Sequence, residues 1–154
     1  MKNLVYYDSP LGKIGIAEKG GAVTDLFFAE TEPVPKDAVL NETALLSDVV
    51  KQLKEYFEKK RKVFDVPLSQ EGTEFQKRDW QELLKIPYGE TRSYGELAKN
   101  LGIPKGARAV GLANNRNPIS IIVPCHRVIG SDGKLVGYGG GLPIKEALLK
   151  LERE

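Results

Sequence analysis

The 154-residue chain holds one cysteine, Cys125, one histidine, His126, one tryptophan and one methionine. A lone cysteine excludes any internal disulfide. A zinc centre takes about four protein ligands, or three plus water, with several Cys or His among them. Cys125 and His126 cannot supply such a set, so no metal and no cofactor is expected. Long apolar runs are missing too. The longest span only a few residues, such as Ile121-Ile122-Val123, far from the roughly 20 that a membrane helix needs. Met1-Lys2-Asn3-Leu4 lacks the apolar stretch of a signal peptide. The expectation is a soluble, intracellular, cytoplasmic protein with no membrane partner.

What remains is ordinarily globular. Hydrophobic residues make up 41% and charged residues 29%, which excludes disordered, collagenous and coiled-coil classes. No internal repeat or low-complexity segment is present. The formal net charge of +2 hides an asymmetry. Residues 1–72 carry 10 Lys and Arg against 12 Asp and Glu, a balance of −2, whereas residues 73–154 carry 13 against 9, a balance of +4. A polyanionic partner should meet the second half.

The first third reads as a small β-meander. Leu4–Tyr7, Lys13–Ala17 and Val23–Phe28 are short runs rich in β-branched and aromatic residues, separated by turn clusters at residues 8–12 and at Gly20-Gly21. Pro33 and Pro35 make residues 31–37 an irregular connector. A helix over residues 42–60 follows. Leu45, Leu46, Val49, Val50, Leu53, Tyr56 and Phe57 fall on one of its faces, which should cover the meander. Lys59-Lys60-Arg61-Lys62 then reads as a solvated helix end whose cations suit the dipole, with a DNA-contacting patch as the other reading.

Residues 67–72 look like a link. Thr73 and Gln76 have capping-box spacing and open a second helix with Trp80, Leu83 and Leu84 on its inner face. Ser93 caps a helix over residues 94–101, residues 102–106 turn, and residues 107–115 form a further helix. Helix, short turn, helix is the layout of a helix-turn-helix. The second of these helices is unusual in composition. Ala107, Ala109, Gly111 and Ala113 are small and Arg108 stands among them, a pattern that suits close approach to a DNA groove or tight helix packing. Ser131-Asp132-Gly133 has hairpin-turn chemistry between the arms 128–129 and 135–136, as in a wing. Residues 137–141 form a glycine-rich loop and residues 144–151 a closing helix. The fold class is therefore α+β, a small N-terminal antiparallel sheet with a covering helix followed by a C-terminal helical winged helix-turn-helix domain. The domains are expected at residues 1–66 and 73–154.

Cys125 is the strongest nucleophile candidate. It follows the buried run 119–123 and Pro124, and is followed by His126 and Arg127. A thiol with a pKa near ~8.5 is only a few per cent thiolate at neutral pH, so it needs a neighbouring base or cation. His126 can be that base. Adjacent residues of an extended chain point opposite ways, so a bridging water would join the two.

Pro124-Cys125-His126-Arg127-Val128 resembles the active-site signature of the O6-alkylguanine-DNA alkyltransferases, also called methylated-DNA–protein-cysteine methyltransferases. The resemblance extends over residues 73–152 and, more loosely, over residues 1–72. Tyr94 in Ser-Tyr-Gly-Glu-Leu-Ala, Arg108 in Ala-Arg-Ala-Val-Gly, Asn117 in Asn-Pro, the loop 138–142, Lys145 and Glu152 stand where the family has them. The resemblance implies a suicide repair protein that flips O6-alkylguanine, and O4-alkylthymine, out of double-stranded DNA and moves the alkyl group irreversibly to its own cysteine. In that scheme Cys125 attacks, Glu152 orients His126, His126 acts through water, Asn117 holds the site and Tyr94 donates to the guanine ring. Arg108 fills the vacated stack from the minor groove. Tyr138, Gly139 and Lys145 line the pocket, while Gly95 and Ser131 contact DNA. The resemblance also implies a monomer.

Gly139 departs from members that have Ser there, which leaves only a backbone N–H near O6. The structural zinc of mammalian members has no ligands in this chain. Two alternatives compete with alkyl transfer. A DNA-binding regulator or damage sensor would fit the helix-turn-helix, although the family's sensor branch lacks the nucleophilic cysteine. A redox sensor would usually want a second cysteine.

Overall fold

Short runs rich in β-branched and aromatic residues, separated by turns, form the first sheet. A computed structural model describes residues 1–154, which divide into two units, residues 1–70 and 71–154. In the first unit β1 (Lys2–Ser9), β2 (Gly12–Lys19) and β3 (Ala22–Phe28) pair antiparallel. Ile14, Ile16, Leu26 and Phe28 fill the buried face. Gly15 pairs with Phe27, and a Cβ on Gly15 would stand 2.2 Å from the Phe27 ring. Only glycine lets that ring lie across the strand.

A fourth strand, β4 (Ala38–Leu40), adds in parallel to β1, giving the order β3-β2-β1-β4. The meander was expected; this strand was not, because three residues behind two prolines carry no readable alternation. Leu68 forms a bridge to Val23, so residues 67–69 lie along β3.

The covering helix α1 runs Ala44–Phe57, shorter than the expected 42–60. Thr43 caps its start by accepting from Leu46 N, and Lys59 turns the chain out of the helix with φ +62. Leu46, Val49, Leu53 and Tyr56 are fully buried, and α1 packs on β1 and β2. The Gln52 amide bonds both the N–H and the C=O of Asp65, which pins the returning chain to α1. In the basic run, Arg61 is held by Glu55 at 2.9 Å and by the Val63 carbonyl, and Lys60 lies 3.7 Å from Glu58.

The second unit is helical. α2 (Glu74–Leu83) starts at the expected capping box of Thr73 and Gln76, and α3 (Tyr94–Asn100) starts at a second box formed by Ser93 and Glu96. Trp80 and Leu83 are buried, whereas Leu84, expected on the same inner face, is 40% exposed because it lies past the last helical residue. α4 (Ala107–Asn115) packs on α2 and α3, and α5 (Leu142–Arg153) closes the chain.

The wing differs from expectation. Residues 128–129 form β6, which pairs in parallel with β5 (Arg92–Ser93) and not with residues 135–136. The turn survives, since Gly130 and Lys134 bond across it. The second arm does not ladder, because the Val136 carbonyl is taken by the side chains of Tyr94 and Lys145.

Candidate functional site: a buried cysteine beside a histidine–glutamate–arginine cluster

The chain reaches the cysteine through a tight, buried segment. Ile119, Ile121, Ile122 and Val123 are buried, and Ile121 takes φ +69, a conformation that β-branched residues rarely adopt. Residues 125–127 form a single 3₁₀ turn. The backbone here is therefore not extended, and the two reactive side chains diverge by roughly a third of a turn. Cys125 is 7% exposed and His126 is fully buried.

Asn117, just past α4, holds the sulfur. Its Nδ2 donates to the Val123 carbonyl at 2.9 Å and to Cys125 Sγ at 3.4 Å, while its Oδ1 accepts from Ile119 N at 3.0 Å. On the other side His126 Nε2 lies 2.7 Å from Glu152 Oε2. Arg127 adds two more bonds to Glu152, at 2.8 and 3.1 Å, and donates to the Ile86 carbonyl at 2.7 Å.

These contacts fix the protonation pattern. Burial alone would raise Glu152, but the hydrogen bonds and charges of His126 and Arg127 outweigh it and hold the carboxyl at about 2. Burial depresses His126 below its ordinary 6.5, and Arg127 and Lys145 add to that, against the opposing pull of Glu152. His126 is thus neutral at pH 7 beside an ionised carboxylate. An ionised carboxylate only accepts, so the imidazole proton sits on Nε2. Nδ1 is left as a bare acceptor, with no hydrogen-bond partner in the protein. The ring is set up as a base.

Lys145, on α5, is fully buried. Its ammonium donates to the Val136 carbonyl at 3.1 Å, to the Gly137 carbonyl at 3.3 Å and to the Tyr94 hydroxyl at 3.5 Å. Burial lowers it to about 8, and the Cys125 charge pulls the other way. Attraction between this ammonium and a Cys125 thiolate favours the nucleophilic form. Tyr94 donates to the Val136 carbonyl at 2.8 Å and is pushed up to about 12, mainly by burial and then by Cys125 and Asp79, so it stays a proton donor.

Tyr94 also lines an open groove of about 370 Å³ with Ala107, Arg108, Gly111, Leu112, Asn115, Val136 and Gly137. This lies at the small end of the range for ligand sites. Ala107, Arg108, Ala109, Leu112 and Asn115 form the exposed side of α4, and Arg116 is exposed just past its end.

The structure thus joins Cys125, Asn117, His126, Glu152, Tyr94 and Lys145 into one cluster and places Arg108 on the groove beside Tyr94. Gly95 is half-buried next to Tyr94, with nothing but the Ser93 hydroxyl within 4 Å of where a Cβ would stand. Tyr138 is half-buried and Gly139 exposed in the glycine-rich loop, and Ser131 is exposed at the turn. Arg127, read from sequence as a cation beside the thiol, serves Glu152 instead. The cation that feels the sulfur is Lys145, 20 positions away. The Val136 carbonyl is a site group that no side-chain pattern could reveal. No group of three or more His, Cys, Asp or Glu is arranged to hold a metal ion, and no helix is long and apolar enough to cross a membrane.

A helix-turn-helix pair followed by a buried cysteine next to a His–Glu pair is the layout of a DNA-binding domain with a candidate thiol nucleophile. Comparison with known proteins narrows this further. Residues 74–154 match the family described as 6-O-methylguanine DNA methyltransferase, DNA binding domain, and residues 4–70 match its ribonuclease-like domain. A methylated-DNA–protein-cysteine methyltransferase of Methanosarcina acetivorans is 53% identical over 95% of both chains. One from Mycobacterium tuberculosis is 52% identical over 95% of this chain and 89% of its own. The crystal structure of Mycobacterium tuberculosis OGT in complex with DNA superposes with a TM-score of 0.92 at 50% identity, covering 98% of this chain and 92% of that one. The chain belongs to the methylated-DNA–protein-cysteine methyltransferase family.

Proposed function

We propose that this protein repairs DNA by moving the alkyl group of O6-alkylguanine, and of O4-alkylthymine, irreversibly onto Cys125. The observation that carries the reading is the neutral His126, held through Nε2 by Glu152, with Nδ1 left as a base in the turn that bears the thiol.

The reaction is a displacement at saturated carbon. A water joining Cys125 to Nδ1 would carry the thiol proton to His126, and Glu152 stabilises the imidazolium that forms. The thiolate attacks the alkyl carbon, the S–C bond forms as the C–O bond breaks, and the electron pair leaves with the base. Tyr94 then gives a hydrogen bond to the ring as charge builds, giving up the Val136 carbonyl to do so. The product thioether is not cleaved by water, so each molecule acts once.

A base stacked in a duplex cannot reach a buried sulfur, so it must be extruded. Arg108 stands on a helix face of small residues beside the groove, where it can enter the minor groove and replace the departed base. We assign Tyr138 and Gly139 to the pocket wall, Gly95 and Ser131 to DNA backbone contacts, and residues 67–72 to the link between domains. We also expect the protein to work as a monomer within the cell, where its substrate is.

One experiment tests the reading. The protein is mixed with a duplex containing O6-methylguanine and its intact mass is measured. The expected result is a gain of one methyl group on Cys125, absent in Cys125→Ser. DNA binding with no mass gain would point to a damage sensor. Arg108→Ala should slow reaction with the duplex by at least about tenfold, the cost of a few kcal/mol of unstacking left unassisted. The same variant should leave reaction with the free base nearly unchanged.

A further inference from the structure

The inner face of α2 carries a residue that the reaction above does not use. Gln76, Asp79, Trp80 and Leu83 recur at the spacing of one helix face, so Asp79 occupies a position where an apolar side chain is expected. It is fully buried, and the charged group that bears on it is another carboxylate, Glu82. A carboxylate kept in such a place is costly.

Its partner is the Asn114 amide in the last turn of α4. With the amide turned so that both groups are satisfied, Asn114 Nδ2 lies 2.5 and 3.3 Å from the two Asp79 oxygens and 3.3 Å from the Val110 carbonyl. Next to it, the Trp80 indole donates to the Ala113 carbonyl at 3.0 Å. Two consecutive residues of α2 therefore hold two consecutive residues of α4. Three positions on, Asn117 bonds back to the Asn114 carbonyl at 3.1 Å and reaches the cysteine sulfur with its side chain.

We propose that Asp79 is a positioning residue for alkyl transfer: through the Asn114 amide it sets the end of α4, and so the placement of Asn117 against Cys125. This rests on the alkyl-transfer reading. The groups facing Asp79 are few. Its own helix presents Glu82, and α3 presents the protonated Tyr94. α4 presents the Asn114 amide, which also donates to the Val110 carbonyl. The 3₁₀ turn, which also packs on α2, sends His126 and Arg127 to Glu152 and Cys125 to Asn117.

Burial raises the Asp79 carboxyl to about 7, and Glu82 adds to the rise. Both protonation states are populated near neutral pH. Ionised Asp79 can only accept, which holds Asn114 with Nδ2 inward by a charge-assisted bond. Protonated Asp79 keeps an acceptor oxygen for Nδ2 but loses the charge, so the bond that holds the amide weakens. The strength of the hold on Asn114 follows one proton.

The test is the single-turnover rate of methyl transfer from an O6-methylguanine duplex, measured against pH for the full chain and for Asp79→Asn. Asparagine keeps the shape and a neutral hydrogen bond at every pH. The variant should match the wild type below about pH 6 and lag it about fivefold above about pH 8, the worth of roughly one hydrogen bond. A rate ratio that does not change with pH overturns the proposal. A wild type that gains no methyl group at any pH defeats the alkyl-transfer reading and this proposal with it. NMR gives a second readout that needs no variant. The side-chain amide signals of Asn114 should titrate with a midpoint near the Asp79 value of about 7. A flat Asn114 signal in protein that does transfer methyl refutes the role of Asp79 alone.

Discussion

A single carboxylate does two jobs in this molecule. Glu152 gives His126 its tautomer and gives Arg127 its counter-charge. Its folded-state value of about 2 lies below the ordinary 4.5. A depressed acid contributes stability that is present above its unfolded value and lost as pH falls through the folded one. The gap corresponds to about 3 kcal/mol, lost between about pH 5 and pH 2. Glu152→Gln leaves the Arg127 charge buried without its partner, which costs about 3–5 kcal/mol near neutral pH. Calorimetry at several pH values should therefore show the variant melting well below the wild type at pH 7. The two should converge as Glu152 titrates toward about pH 2. A separation that stays constant across that range would mean that the carboxylate is not the stabilising group.

At the scale of elements, α4 brings a small-residue face to the groove, and Gly111 is the position where stability and function separate. A Cβ there would meet the Tyr94 ring at 3.7 and 3.9 Å, an ordinary contact. Alanine is better than glycine inside a helix by about 1 kcal/mol. Gly111→Ala should therefore raise the melting temperature while slowing transfer from duplex DNA, if the bare backbone is what lies against the nucleic acid. A duplex rate as fast as wild type would remove this face from the DNA contact. α2 and α3 were legible in the sequence because Thr73 with Gln76 and the cap Ser93 mark helix starts by a local mechanism, and α4 because the turn at residues 102–106 sets it off from α3. β4 and the β5–β6 pair were not. Strands of two or three residues have no alternation to read, and the parallel partners of β5 and β6 lie more than thirty residues apart. The bent path through Ile121 was hidden as well, since a β-branched residue at positive φ contradicts local preference and is imposed by packing.

Across the whole molecule, the candidate site was legible as a set of residues but not as a set of contacts. Cys125 and His126 are adjacent in sequence, and Glu152 and Lys145 share α5, yet nothing in the residue order says that Arg127 turns to Glu152 or that Val136 lends its carbonyl to Tyr94 and Lys145. Charge shows the same division between what composition reveals and what geometry decides. The second half is basic by count, and Lys105, Arg108 and Arg116 are exposed on or beside α4. The densest basic run lies in the first half, where Arg61 is already bound to Glu55 and Lys60 lies near Glu58. If the three cations around α4 contact phosphates, the logarithm of the binding constant should fall with the logarithm of salt concentration at a slope of about −3. Titrations of a fluorescent duplex between about 50 and 200 mM salt measure that slope directly. Arg116→Gln should make it shallower by about 1, since one counterion fewer is released. Arg61→Gln should leave it unchanged, because that guanidinium is held by Glu55 and the Val63 carbonyl. A slope that responds to Arg61 and ignores Arg116 would move the DNA-binding face from α4 to the end of α1.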